Sequence, residues 1–150
     1  EPFTENYGFP QAVSLDIPYK YKEQDYIWKK DVALEGWGYI GLLGLCSQSS
    51  TNCENICAFA YTRIEVLEDI TAVACIGSDD GFRLWVNQEE MSKKHIDRGM
   101  RVDEDKIEIH LKKGENEILL QVTQIKGGWN FCFRLTDTSG KPIVFNVKSL

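Results

Sequence analysis

Apolar and polar residues alternate with a period of two along much of the second half of the chain. Because successive side chains of a β-strand point to opposite faces, each alternating set predicts a strand with one buried face. The four clearest sets are Phe82, Leu84 and Val86; Ile107, Ile109 and Leu111; Ile118, Leu120 and Val122; and Phe131, Phe133 and Leu135. Residues 64–67, 71–76 and 142–147 are also rich in strand-forming residues and predict three further strands.

Turn-forming residues separate these runs at roughly ten-residue intervals. The turn clusters are residues 77–81, 112–116, 127–128 and 137–140. Short strands at this spacing are typical of antiparallel sandwiches. The sequence therefore predicts an all-β fold, an antiparallel jelly-roll β-sandwich of about eight to ten strands.

The remaining segments show less periodicity. Residues 1–35 contain prolines and a cluster of tyrosines, which predicts an extended segment packed on the sheet. A strand is predicted to begin near Trp37 and run towards Leu45, and residues 89–105, which are mostly charged, are predicted to form a long connection. No amphipathic helix is evident, and residues 48–58 are predicted to hold at most one short turn. No linker divides the chain, so residues 1–150 are predicted to form one module.

Composition excludes several classes of protein. The 150 residues are 43% apolar and 27% charged, which is typical of a globular domain rather than a disordered one. The net charge of −6 and the lack of a basic run argue against a nucleic-acid partner. The longest apolar runs are far shorter than the ~20 residues that a membrane-spanning helix needs, so no membrane insertion is expected.

The five cysteines do not form a recognisable metal-binding pattern. Three of them, Cys46, Cys53 and Cys57, are separated by spacings that differ from those of paired zinc ligands. One disulfide within this group is compatible with the sequence if the protein enters an oxidising compartment. Cys75 and Cys132 are predicted to be small buried residues.

Three segments resemble a known group of domains. The segments are Gly77-Ser78-Asp79-Asp80-Gly81-Phe82-Arg83-Leu84-Trp85-Val86-Asn87, then Leu111-Lys112-Lys113-Gly114-Glu115-Asn116-Glu117-Ile118-Leu119-Leu120, and Gly127-Gly128-Trp129-Asn130-Phe131. They resemble the jelly-roll sugar-binding domains of the protective-antigen type and related galactose-binding-like modules. The resemblance covers about half of the chain, and Gln88 stands where the group usually has glycine. It implies a binding module of a bacterial extracellular or cell-surface protein.

Asp79 and Asp80 are candidate metal ligands. The resemblance implies that this pair holds Ca²⁺, which in turn holds sugar hydroxyls, and carboxylate oxygens suit Ca²⁺. Asn87 is a further candidate oxygen donor on chemical grounds. The alternative is that both aspartates cap backbone amides in a tight turn.

Aromatic and polar side chains are candidate sugar contacts. Sugar sites commonly combine flat rings with a few polar groups. Trp129 and Trp37 lie beside glycines, where rings can project, and Trp85 lies opposite the predicted buried face of its strand. The polar candidates are Arg83, Asn87, Asn130 and Arg134, and Arg83, Trp85 and Arg134 would line one surface if their strands were neighbours. The alternative is that both faces of the sheet are covered and the rings belong to the core.

No motif for catalysis is present. The acidic residues fall in turns and charged edges, the two histidines have no motif partner, and no nucleophile elbow or phosphate loop occurs. The sequence therefore predicts a non-catalytic carbohydrate-binding module that recognises an oligosaccharide or polysaccharide beside a catalytic domain of the same parent chain. The alternatives are a structural or protein-interaction module without a small ligand and, third, a small hydrolase.

Overall fold

A computed structural model describes residues 13–21, 23–30, 38–48, 50 and 52–148. Within these residues the regular secondary structure is almost entirely β-strand, with one short helix. The elements are β1 (Tyr19–Tyr21), β2 (Gln24–Tyr26), β3 (Ile40–Gly41), α1 (Leu42–Ser47), β4 (Ile56–Val66), β5 (Ile70–Asp79), β6 (Phe82–Val86), β7 (Glu89–Lys94), β8 (Asp105–Leu111), β9 (Gly114–Gln124), β10 (Asn130–Asp137) and β11 (Asn146–Val147).

Two antiparallel sheets enclose the core. One has four strands in the order β3-β10-β5-β8, and the other has five in the order β11-β4-β9-β6-β7. The predicted all-β antiparallel fold is confirmed, and the arrangement is that of a β-sandwich. A jelly-roll connectivity remains a prediction.

The alternating sets supply the buried faces, as the sequence predicts. Phe82, Leu84 and Val86 of β6 pack against the even-numbered apolar residues of β9, whose partners in register include Val122 and Leu120. Phe131 and Leu135 of β10 complete the core from the four-stranded sheet. Burial of these side chains stabilises the sandwich by the usual ~25 cal/mol per Å² of apolar surface removed from water.

Two segments differ from the prediction. Part of the predicted connection at residues 89–105 is the edge strand β7, which has charged residues at most positions and exposes both of its ends. The predicted strand towards Leu45 ends at Gly41, and the chain continues as the short helix α1. A short continuous apolar run is compatible with either a strand or a buried helix, so periodicity does not distinguish them.

The N-terminal segment packs on the outer face of the five-stranded sheet. Strands β1 and β2 pair as a small antiparallel hairpin, where the sequence predicted an extended segment. After the hairpin, the ring of Trp28 lies 6.0 Å from that of Tyr61 on β4. This outer face is therefore partly covered, which affects the side chains that lie on it.

The two ends of the sandwich differ in composition. The strand registers place the Asp79–Gly81 turn, residues 125–129, helix α1 and the connection 95–104 at one end, here called the Asp79 end. The turns at residues 67–69, 87–88 and 112–113 lie at the other end, here called the Asn87 end. Any site built at the Asp79 end is therefore separated from the Asn87 end by the length of the strands.

Candidate functional site

The Asp79 end brings together two predicted site residues. Asp79 on β5 and Asn130 on β10 are partners in the antiparallel register, and Gly41 on β3 is the next residue across the sheet. Side chains of directly opposed residues lie on the same face with Cβ atoms ~5 Å apart. The Asp79 carboxylate and the Asn130 amide are therefore neighbours on the outer face of the four-stranded sheet.

Asp79 carries a charge that its surroundings do not compensate. Burial, followed by the nearby carboxylates of Asp80 and Asp97, raises the pKa of Asp79 to about 6. Within the described ranges no ion pair joins Asp79 to a lysine or arginine. At neutral pH the site is a cluster of negative charge, and no cationic side chain among the described residues forms an ion pair with Asp79.

Gly128 shapes the space beside this carboxylate. A Cβ atom added to Gly128 would lie 2.8 Å from Oδ2 of Asp79, which is closer than such atoms approach in proteins. Gly128 has no positive φ, so its backbone does not require glycine. The absence of a side chain therefore allows the 125–129 loop to approach the Asp79 carboxylate.

Asp80 has a structural role at the same end. Its side chain is 1% exposed, and its Oδ1 and Oδ2 accept hydrogen bonds from the amides of Arg98 and Ile125, at 3.0 and 2.6 Å. Asp80 therefore caps backbone amides, but these amides belong to other segments and not, as the alternative predicts, to its own turn. Asp79 has no such hydrogen bond in the part of the chain that the structure describes. The two aspartates therefore differ, and Asp79 is the one available to a ligand.

Several buried polar atoms near the site have no hydrogen-bond partner among the described residues. Asn130 contributes its Oδ1 atom, and three others lie in the same stretch of chain: Oγ1 of Thr123, Oε1 of Gln124 and Nε1 of Trp129. A buried polar atom without a partner destabilises the fold by ~1–3 kcal/mol. The Asn130 oxygen lies on the same face as Asp79, where a cation would provide the missing partner.

The side-chain oxygens at the Asp79 end provide some, but not all, of the ligands that a hard cation requires. Ca²⁺ takes six to eight oxygens from carboxylates, amides, backbone carbonyls, water and ligand hydroxyls. Asp79 and Asn130 supply two side chains with oxygen donors, whereas the carboxylate of Asp80 already accepts hydrogen bonds from two backbone amides. Over the described ranges no group of three or more histidine, cysteine, aspartate or glutamate side chains is arranged to hold a metal. A cation at this place would therefore depend on amide, backbone and external oxygens as well as on Asp79.

The predicted exposure of the tryptophan rings is wrong where it is described. Trp129 is 4% exposed and belongs to the core, because it continues the inward alternation of Phe131 and Phe133. Trp85 is 3% exposed on the outer face of the five-stranded sheet, with the Arg83 guanidinium 4.8 Å from its ring. The core alternative holds for both rings. Trp37 lies outside the described residues.

Arg83 and Arg134 do not share a surface. Arg83 on β6 belongs to the five-stranded sheet and donates to Oε2 of Glu90, at 2.6 Å from its Nη2. Arg134 on β10 belongs to the four-stranded sheet and forms an ion pair with Asp103. The predicted common surface of these arginines and Trp85 is therefore wrong, because β6 and β10 lie in different sheets. The guanidinium of Arg134 also lowers the pKa of Asp103 through its hydrogen bonds.

Asn87 lies at the opposite end from Asp79. Its φ is 49°, its Nδ2 donates to Oδ1 of Asn116 at 2.9 Å, and its Oδ1 accepts the amide of Glu117 at 2.9 Å. Strand β6 separates it from Asp80, and five residues of strand extend ~16 Å. Asn87 therefore caps a turn and is not a ligand of a site at Asp79.

The cysteine-rich segment contains one disulfide, between Cys46 and Cys53. The other three cysteines, Cys57, Cys75 and Cys132, do not form disulfides. Cys75 is 2% exposed, as predicted, whereas Cys132 is only half-buried. The disulfide lies at the Asp79 end, next to helix α1.

Sequence reasoning missed two residues of this site. Asp97 lies in the charged connection, where no local pattern distinguishes it from its neighbours. The sequence places Gly128 only in a turn and in a resembling segment, although a Gly-Gly pair next to a strand is also a signal of close backbone approach. The inward position of Trp129 could have been found by extending the alternation of β10 by one step.

Comparison with known proteins does not assign the chain. No protein-family model matches it, and no curated protein does. The resemblance to sugar-binding jelly-roll domains therefore stays a prediction that rests on the three sequence segments. Among the described residues no helix is long and apolar enough to cross a membrane.

Proposed function

We propose that this chain is a non-catalytic carbohydrate-binding module that binds its sugar through Ca²⁺ at the Asp79 end. One observation carries the proposal. The Asp79 carboxylate, which has a raised pKa and no cationic partner among the described residues, lies beside the unpartnered Oδ1 of Asn130. An electron-rich pair of oxygens at an accessible sheet end is suited to a hard cation.

A bound cation would remove two unfavourable features together. It would offset the repulsion among Asp79, Asp80 and Asp97 and would give the Asn130 oxygen a partner. Because Ca²⁺ takes more oxygens than these side chains supply, positions remain for the hydroxyls of a sugar. Asp79 and Asn130 would hold the cation, and Asp80 would position the turn by its two backbone contacts.

The proposed setting is an extracellular or cell-surface protein, with a catalytic domain in the same parent chain. The Cys46–Cys53 disulfide supports this setting, since disulfides persist in oxidising compartments. With Trp85 and Trp129 buried, binding would depend on the cation more than on these rings. A stacking role for Trp37 remains a prediction.

The test is a glycan and polysaccharide screen run with Ca²⁺ and with chelator, combined with thermal unfolding. Ca²⁺ at a hundred times its Kd should stabilise the protein by about 2.7 kcal/mol. Asp79→Asn should lose both this stabilisation and the glycan binding. Asp25→Asn, which removes one charge from the exposed hairpin strand β2, is the matched control and should behave like the parent protein.

The alternative is a structural or interaction module, and the burial of Trp85 and Trp129 favours it. Such a module would show neither Ca²⁺-dependent stabilisation nor glycan binding. Glycan binding that persists with chelator and in Asp79→Asn would contradict the metal site while retaining a sugar ligand.

A further inference from the structure

The 125–129 loop is held from two sides by one short segment of chain, residues 41–55. On one side, the amides of Leu42 and Leu43 both donate to the carbonyl oxygen of Trp129, at 2.9 and 3.1 Å. On the other side, the amide of Asn55 donates to the carbonyl oxygen of Ile125, at 3.2 Å. The segment thus contacts both ends of the loop.

This loop forms one wall of the proposed cation site. Gly128 lies against the Asp79 carboxylate, and Asn130 follows directly as the register partner of Asp79. A shift of the loop by an ångström would change the separation of Gly128 from the Asp79 carboxylate, whereas the pairing of β5 with β10 holds Asn130 beside Asp79. The geometry of the site therefore depends on the segment that fixes the loop.

The segment cannot fix the loop by helix stability alone. Helix α1 has six residues and no side-chain N-cap, and isolated helices shorter than ~12 residues are marginal in water. The Cys46–Cys53 disulfide joins the end of α1 to the chain that leads to Asn55 and β4. Inside the closed loop, the amide of Ser50 donates to the carbonyl oxygen of Cys46 at 2.9 Å.

We infer that the Cys46–Cys53 disulfide is a positioning element for ligand binding, because it keeps both contacts to the 125–129 loop in place at the same time. The inference rests on the proposed function and adds that full Ca²⁺ affinity requires the Cys46–Cys53 bond. Without the disulfide, each contact depends only on the strand beside it, β3 for Leu42 and β4 for Asn55, and the wall that Gly128 forms beside Asp79 is held less rigidly.

The test compares the oxidised protein with Cys46→Ser/Cys53→Ser. Both cysteines are replaced because a single substitution leaves a thiol that can form a non-native disulfide with Cys57. Two quantities are measured: Ca²⁺ affinity by calorimetry, and amide hydrogen exchange in chelator. The hydrogen-exchange measurement needs no metal, so it tests the effect of the disulfide on the 125–129 loop independently of Ca²⁺ binding.

The expected result is a loss of at least tenfold in Ca²⁺ affinity and at least tenfold faster exchange at the amides of Leu42, Leu43 and Asn55. Because loss of a disulfide also destabilises the whole fold, the exchange rates are corrected for the change in global stability measured by urea unfolding. After this correction, exchange at Ala74, in the centre of β5, should not change. A phosphine reductant should reproduce both effects in the parent protein. It should have no effect on the double variant, which controls for action of the reductant elsewhere in the protein.

Two failures are distinguishable. If the oxidised parent protein binds no Ca²⁺, the proposed function fails, whatever the variant does. If the parent binds Ca²⁺ and the double variant binds it equally well, with unchanged exchange at the three amides, the positioning role is overturned. Faster exchange at Ala74 as well would show general loosening of the fold and would also contradict a local positioning role.

Discussion

Replacing Asp79 by asparagine should stabilise the metal-free protein at neutral pH. The folded-state pKa of Asp79, about 6, is above its ordinary value of 3.8, so the folded state binds more protons between these two pH values. Stability therefore falls as pH rises from about 4 to about 6, and the ionised side chain remains unfavourable at pH 7. Asparagine keeps the size of the side chain and cannot ionise, so it removes this term.

The magnitude follows from the two pKa values. A difference from 3.8 to about 6 corresponds to at most about 3 kcal/mol at 1.36 kcal/mol for each pKa unit. Because Asp79 is only half-buried, solvent screening reduces the effect, and about 1 kcal/mol is expected at pH 7. For a chain of this length, this corresponds to a rise of about 2–4 °C in Tm.

The assay is urea unfolding of the parent protein and Asp79→Asn in chelator, at pH 7 and at a pH well below 3.8, where Asp79 is protonated in both the folded and the unfolded state. The variant should be more stable at pH 7 and equal at the lower pH, since both side chains are then neutral. A variant that is no more stable at pH 7, or that gains the same amount at both pH values, would refute the reasoning. With saturating Ca²⁺ the order at pH 7 should reverse, because only the parent protein binds the cation.

Three further predictions concern single side chains. Gly128→Ala should weaken Ca²⁺ binding in calorimetry, because the added Cβ would displace the Asp79 carboxylate. Gly99→Ala is the control and should leave the affinity unchanged, since a Cβ there meets nothing within 4 Å. Equal Ca²⁺ affinities of the two variants would contradict the close approach of Gly128 to Asp79. Trp129→Ala should destabilise the protein by about 3–5 kcal/mol in urea unfolding, as expected for a core ring, and a loss below about 1 kcal/mol would indicate an exposed ring. Asp137→Asn should destabilise the protein at pH 7, because hydrogen bonds from the Ser139 side chain and from the Lys141 amide lower the pKa of Asp137. This contribution to stability is present above pH 3.8 and is lost as pH falls through the lower folded-state pKa. A pH-independent difference in the stability of that variant would contradict this assignment.

Strands with one buried face were predictable from the sequence. The bounds of β6 agree with the alternation of its residues, and the inward sets of β8, β9 and β10 face the core, although Ile107 and Phe133 are only partly buried. The edge strand β7 was missed because a strand exposed to solvent carries charged side chains on both faces and leaves no alternation. Helix α1 was missed because an apolar run of its length fits two structures equally well.

The sequence predicts individual residues of the candidate site, but it does not predict which of them lie together in the fold. The motifs identified Asp79 and Asn130 separately, and only the pairing of β5 with β10 brings them together across 51 positions of the chain. The strand order also separates Arg83 from Arg134, because β6 and β10 lie in different sheets. Local patterns do not contain such non-local information. The different roles of Asp79 and Asp80 likewise depend on amides contributed by distant segments.

The contacts of Asp80 have a consequence for the thermodynamics of binding. Its carboxylate fixes the amides of Arg98 and Ile125, and its own amide donates to the carbonyl oxygen of Thr123 at 2.9 Å. Three segments are therefore ordered before any ligand arrives, so binding at Asp79 requires little further loss of conformational entropy. Ligands at this end should accordingly associate at similar rates, and differences in affinity among them should arise mainly from their rates of dissociation.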